Sequence, residues 1–463
     1  MNKEFEFAGS FYPEKAEELN SLLSSLKQNS NVEYKSKAII VPHAGYTYSG
    51  HAAMAAYEHL EAAENFFIIA PSHHKVFNNV VLPKYTFFDT PLGSVEVNNK
   101  LIREIAEKFP VYIDDEPFVN EHSIEVQLPF LQNIFFPQRQ NALDFMINLK
   151  KLGKKIRITP ILVGRCDYKL ISDIISAYWD NSSFIISSDL SHFYTQEQCR
   201  QIDTYTAALI ESGKVNLFEQ QQACGLIGIK GLVDFASKNG FSMIRKEMYN
   251  SGDISQEKER VVGYGSWFLY EGAKNDYIEK FCSKYILSTS RNAIINAIRE
   301  EEALPKEIPS VMTELGASFV TLKENGKLRG CMGSVYPAKP LLIDIIDNAK
   351  NAAFQDPRFE PLQEEEIPNL DISVSILSDI ERIYFKDERD LLSKIYPYGV
   401  IISDGNHRAV YLPIVWEQLP DREIFFKSLK EKAGLHPDYF SKSLEVYKFS
   451  TTYISDETVS LME

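Results

Sequence analysis

Eight side chains in the first half of this chain could do chemistry together: His43, His73, His74, Glu121, His122, Asp189, His192 and Cys224. Two or three imidazoles with one anionic side chain suit Fe(II), Zn(II) or copper. In the second half the candidate is Cys331, two residues after Arg329. A guanidinium near a thiol lowers its pKa and favours the nucleophilic thiolate. Histidine is unevenly spread, with seven of nine in the first 200 residues, so imidazole chemistry belongs to the first half.

The elements that must position these groups repeat one pattern. Ala38 to Val41 is a short apolar run that ends at Pro42 and delivers His43. Phe66 to Ala70 runs into Pro71-Ser72-His73-His74, and Phe184 to Ser187 runs into Ser188-Asp189-Leu190-Ser191-His192. Each reads as a buried strand with a His past its carboxyl end, where open α/β sheets collect their ligands. The competing reading is that these are loop histidines capping strands and helices. His51, at the start of a helix predicted over 52–60, and His59 within it read as structural. Tyr46 and Tyr48 could contact a ligand or pack in the core. Further helices are predicted at 14–26, 99–108 and 196–211, with a helix opening at Glu121-His122, and further strands at 92–97, 156–163 and 261–270. Gln138 to Lys155, polar and basic, reads as an exposed insertion. Strands alternating with helices give an α/β domain with layers on both faces of a sheet, over residues 1–272.

Gly272 to Asp276 reads as a linker. From 277 to 463 helices are predicted over 277–299 and 341–354. Glu324-Asn325-Gly326 and Asp404-Gly405 join short apolar runs as hairpins, and 371–377 alternates like a half-exposed strand. Hairpins with interspersed helices give a separate α+β domain. Within it, Gly330 and Gly333 could make a bulge that leaves Cys331 a small structural residue. Asp356 and Arg358 read as an ion pair at a helix end, and His407 as exposed.

A chain of 463 residues implies two or three domains, and 44% hydrophobic with 24% charged residues is ordinary for a globular protein. The net charge of −15 argues against binding nucleic acid or an anionic membrane. No run of eighteen apolar residues predicts a membrane span. The acidic N-terminal stretch is unlike a signal peptide, and five scattered cysteines argue for reduced thiols. These features together predict a cytoplasmic protein.

The motifs VPHAGYTYSG, APSHH, EHSIEVQLPFL, SSDLSH and ACG, in this order and after AGSFYP, closely resemble the Memo family over about residues 5 to 272. That family is similar to the class III extradiol dioxygenases, which hold non-haem Fe(II) with two His and one carboxylate. The resemblance implies metal ligands His43, His73 and Cys224, with the cysteine in the carboxylate position. It implies His192 as the catalytic acid/base, with Asp189 beside it. His122 and Glu121 would line the substrate pocket, and Phe7 to Tyr12 would cover it; Tyr48 and Arg329 are further candidates for contact with substrate. A thiolate ligand is softer than a carboxylate, so copper or zinc stands beside Fe(II) as the expected divalent metal.

Residues 278 to 455 resemble the AMMECR1 family. Leu328-Arg329-Gly330-Cys331-Met332-Gly333 matches its Leu-Arg-Gly-Cys-Ile-Gly signature with one conservative change, and Ala352 to Phe359 and Lys432 to Leu435 match as well. The two resemblances imply a fusion of AmmeMemoRadiSam system proteins acting in one pathway with a separate radical-SAM protein. Two functions compete. One is a metal-dependent, dioxygenase-like oxidoreductase acting on a small molecule or a protein substrate. The other is a metal- or peptide-binding module without turnover. A third class would use Cys331 as a catalytic nucleophile with Arg329 at its side.

Overall fold

The computed structural model describes residues 1–28, 32, 34–135, 156–219, 221–301, 305, 308–378, 380–441 and 443–456. The segment Gln138 to Lys155, read above as an insertion, lies outside the described residues. The chain divides into two compact units, Met1–Lys274 and Asn275–Glu463.

The first unit is built on a sheet that has nine strands among the described residues. Its centre is parallel: Ala38–Val41, Ser182–Ser187, Asn65–Pro71 and Arg157–Val163 lie side by side in that order. Val, Ile and Phe fill these strands because helices cover both faces, and Ala38 to Val41 are fully buried. Val261–Tyr270 runs antiparallel beside Ala38–Val41 and also pairs with Ser242–Asn250 and with the short strand His192–Tyr194. On the other side Val80–Leu82 and Val111–Ile113 complete the sheet.

Register sets where the site is. Val41 faces Ser187, and Ile69 faces Ile186. The loops after all three strands therefore leave the sheet at one edge. Two helices, Tyr168–Tyr178 and Leu226–Lys238, pack together, closely enough that a Cβ on Gly231 would sit 2.5 Å from Ile171 Cβ. The second of them begins just after Cys224. A Cβ on Gly225 would lie 2.7 Å from both Ser187 O and Ser188 Cβ, so only glycine lets the chain bring Cys224 against the Ser188-Asp189 loop.

The helix after His43 spans Tyr46–Tyr57, starting earlier than the sequence suggests. Gly50, which reads as a loop residue, lies within it. A Cβ there would meet Leu26 Cδ1 at 2.9 Å, so this glycine serves the approach of the helix Ala16–Leu26. Asn99–Lys108 and Val261–Tyr270 match their expected spans.

The second unit holds two four-stranded antiparallel sheets among the described residues. The first orders Lys327–Gly333, Ser318–Glu324, Leu370–Leu377 and Thr451–Ser455; the second orders Glu381–Arg382, Glu445–Phe449, Gly399–Asp404 and His407–Tyr411. Asn325 and Gly326 both take positive φ, at 50° and 76°, in the tight turn joining the first two strands. The helix Leu341–Phe354 lies against the first sheet where Gly330 leaves room: a Cβ there would sit 2.0 Å from Ala352 O. No helix among the described residues is long and apolar enough to cross a membrane.

Candidate metal centre

At the shared strand edge, His43, His73 and His122 bring one ligand atom each within 4.8 Å of one another. Their ring centroids are 5.1 Å (His43–His73), 5.3 Å (His43–His122) and 4.7 Å (His73–His122) apart. His43 is buried, His122 half-buried, and His73 reaches solvent, so the cluster opens to one side.

Hydrogen bonds fix two of the rings. Ser187 Oγ donates to Ser123 O at 2.7 Å and accepts from Gln127 Nε2 at 2.8 Å. Its only proton being spent, it accepts from His43 Nδ1 at 2.9 Å. His43 therefore carries its proton on Nδ1 and leaves the Nε2 lone pair free. His73 Nδ1 lies 2.9 Å from Glu121 Oε1. Burial pushes the Glu121 carboxyl up, but the His73 hydrogen bond and charge and the N–H groups of His73 and Ser123 outweigh it and hold the pKa at about 2. An ionised Glu121 holds the proton of His73 on Nδ1 and so makes Nε2 the atom available to a metal, the carboxylate–histidine pairing typical of metal ligands. Glu121 also takes the N–H of His73 at 2.6 Å and caps the short helix His122–Glu125 through Ser123 N at 3.0 Å.

Neutral imidazole is the ligating form, and the site keeps His43 and His122 neutral. Burial, then the neighbouring His73, lowers the His43 pKa well below its usual value. Burial, then His43 and His73, lowers that of His122 to about 3. The donor set therefore fits a divalent transition metal.

The structure places the other expected residues around this trio. Cys224 Sγ lies 3.2 Å from His43 Nε2, but Cys224 stands outside the group of three. The third member is His122, expected from the resemblance only to line the pocket. Burial and Asp189 push the Cys224 thiol pKa up, so its S–H donates to the free Nε2 of His43. Asp189 N donates to the same sulfur at 3.3 Å. Asp189 Oδ1 accepts His43 N at 2.8 Å, and burial raises its pKa against the opposing charge of His192. His192, half-buried, is within electrostatic reach of both His43 and Asp189. Phe7 and Phe11 pack on His122, with centroids at 5.6 and 4.7 Å. Tyr46 is buried with its hydroxyl on Val126 O, whereas Tyr48 is 41% exposed in the same helical turn. His74 is exposed. The roles of Ser187 and Glu121 in setting tautomers have no sequence signal beyond their place beside a His or at a strand end.

In the second unit Arg329, two residues before Cys331, is engaged elsewhere. Its guanidinium makes a paired contact with Glu366, at 2.7 and 3.1 Å. Cys331 instead donates its N–H to Asp356 Oδ2 at 2.9 Å, and Arg358 holds the same oxygen at 2.7 Å. Thr321 Oγ1 donates to Cys331 Sγ at 3.3 Å. His407 is exposed, with Nδ1 donating to Ala433 O.

A mixed α/β sheet domain with a cluster of imidazoles at its strand ends, joined to an antiparallel α+β domain, is the class that fold and site define. The family model of the Memo-like protein matches residues 3–268, and that of AMMECR1 matches residues 287–454. A MEMO1 family protein of Thermoplasma acidophilum is 32% identical over 279 residues, 58% of this chain and 98% of that protein. One of Aquifex aeolicus is 31% identical over 277 residues, 57% of this chain and 97% of that protein. A crystal structure of an uncharacterised protein from Pyrococcus horikoshii shares 32% identity over 37% of this chain and 89% of that one, with a TM-score of 0.35. The chain belongs to the Memo-like protein family and carries an AMMECR1 domain after it.

Proposed function

We propose that the Memo-like domain is a metal-dependent oxidoreductase with dioxygenase-like chemistry, iron(II) being the first choice of metal and copper or zinc the alternatives. On this proposal the AMMECR1 domain serves the same pathway, with a radical-SAM protein as a separate partner. The supporting observation is that hydrogen bonds hold His43 and His73 through Nδ1, leaving Nε2 of each as the atom that can ligate, beside the imidazole of His122. His43 and His73 would hold the metal, with His122 and a deprotonated Cys224 as the further donors. A bound metal supplies Lewis-acid polarisation of a ligand and, as iron(II), electron transfer toward dioxygen. Glu121 keeps His73 oriented, and Ser187 does the same for His43. The exposed side at His73 admits the substrate, a small molecule or a protein side chain. His192, with Asp189 nearby, is placed to move a proton on that substrate.

A second reading, a metal- or peptide-binding module without turnover, is favoured by Cys224. There a half-buried thiol of raised pKa meets His43 Nε2 where the dioxygenases have a carboxylate. Metal analysis of anaerobically purified protein, then oxygen uptake with catechols and cell extract, separates the two. The oxidoreductase reading expects uptake by the iron-loaded protein, and a His192→Ala variant that keeps its metal but loses uptake. Metal binding with no oxygen uptake leaves the module.

A further inference from the structure

Among the described residues, His122 is the one imidazole of the three whose ring makes no hydrogen bond. Its Nδ1 is 3.6 Å from Glu121 Oε1, beyond hydrogen-bond reach. Its ring is packed instead, against Phe11 at 4.7 Å and Phe7 at 5.6 Å, both on the N-terminal segment. What fixes that segment is Glu125, three residues after His122 and 2% exposed. Its Oε2 accepts the N–H of Glu6 at 2.9 Å. Its Oε1 accepts the N–H of Phe7 at 2.8 Å and the Tyr12 hydroxyl at 2.6 Å.

Among the described residues no lysine or arginine pairs with Glu125; Lys3 Nζ is held by Glu6 at 2.8 Å. A buried carboxylate without a cation is sustained by charge-assisted hydrogen bonds, and here all three come from the same short segment. An amide in its place would turn a donor toward donors. Two further bonds tie the segment to the centre: Tyr46 N donates to Phe11 O at 2.8 Å, and Asn120 N donates to Glu6 Oε2 at 2.7 Å.

We propose that Glu125 is a positioning residue for the metal centre: it straps residues 6–12 across His122, and Phe7 and Phe11 hold the third imidazole in its coordinating orientation. The inference rests on the three-imidazole reading of that centre. Without the strap the segment lifts, His122 regains rotamer freedom, and part of the binding energy goes into reordering it.

The test uses the full chain and two readouts: zinc titration by competition calorimetry, and histidine-selective ¹⁵N NMR of the metal-free protein. Glu125→Gln and Phe11→Ala should each lose roughly 10–100-fold in zinc affinity, the range for residues that orient ligands. In both, the His122 ring signals should move to averaged positions while those of His43 and His73 stay. Tyr12→Phe, which keeps both backbone bonds to Glu125, should lose less. A Glu125→Gln protein with wild-type His122 signals and zinc affinity within about twofold overturns the proposal. If Glu125→Gln does not fold, the same result in Phe11→Ala overturns it. A wild-type protein that binds no zinc, or a His122→Ala variant that binds it unchanged, removes the three-imidazole reading instead. The NMR comparison then still decides whether Glu125 positions His122.

Discussion

Replacing Glu121 with glutamine should separate the folding role of this carboxylate from its role at the metal. Its side chain is fully buried and accepts three hydrogen bonds. Glutamine offers one acceptor oxygen. That oxygen can keep the two bonds of Oε1, to His73 Nδ1–H and Ser123 N–H. The amide NH₂ then faces the His73 N–H, which in the wild type sits 2.6 Å from Oε2. The two donors left facing each other destabilise by about 1–3 kcal/mol each. The N-cap contact to Ser123 survives, so no capping loss is added. At the metal, a neutral amide no longer raises the basicity of His73, which weakens binding by roughly 10–100-fold, or about 1.4–2.8 kcal/mol. Urea denaturation of the metal-free protein measures the first quantity and zinc titration the second. Because Glu121 acts through His73, adding Glu121→Gln to His73→Ala should cost almost no further zinc affinity. Zinc affinity of Glu121→Gln within about twofold of wild type would falsify the carboxylate–histidine pairing at this centre.

Three other outcomes follow from the same geometry. If Cys224 joins the centre, cobalt-loaded wild-type protein shows sulfur-to-metal charge-transfer absorption that Cys224→Ser lacks; no such band in the wild type leaves imidazole donors alone. His59 is buried, stacks on Phe268 at 4.3 Å and donates to Tyr34 O at 3.0 Å, and burial, then Lys246, hold its pKa at about 3 against 6.5 for the free group. The unfolded chain thus binds the extra proton between these values, so the contribution of His59 is full above pH 6.5 and falls by about 1.4 kcal/mol per pH unit toward pH 3. The pH slope of stability in His59→Gln should be shallower by that amount, and an unchanged slope refutes the assignment. Iodoacetamide near neutral pH should label Cys331 before Cys199 and Cys166, whose thiols burial pushes up to about 12 and about 11; equal rates by mass spectrometry would leave Cys331 purely structural.

The sequence by itself determined the local elements and their class. Apolar runs ending at Pro42 and Pro71 are legible as buried strands that hand over to loops, because length and apolar content are local properties. Asn325-Gly326 marks a hairpin because few residues tolerate positive φ at both turn positions. Motif order carried the Memo and AMMECR1 resemblances, which the family models match. The strand Ser242–Asn250 carries no strand signature in the sequence, because its mixed burial gives no clean alternation.

Only the tertiary structure decided which imidazoles meet and which nitrogen each presents. Both depend on register between strands and on hydrogen bonds between residues far apart in the chain: 144 residues for His43 and Ser187, 48 for His73 and Glu121. Periodicity and spacing contain no term for such pairings. They place His122 beside Glu121 without saying that its ring stacks on His73, and they place Arg329 beside Cys331 without saying that it turns to Glu366. A side chain's partner is set by the face of the element it leaves from and by what the fold packs against that face, and this information exists only once the chain has closed on itself.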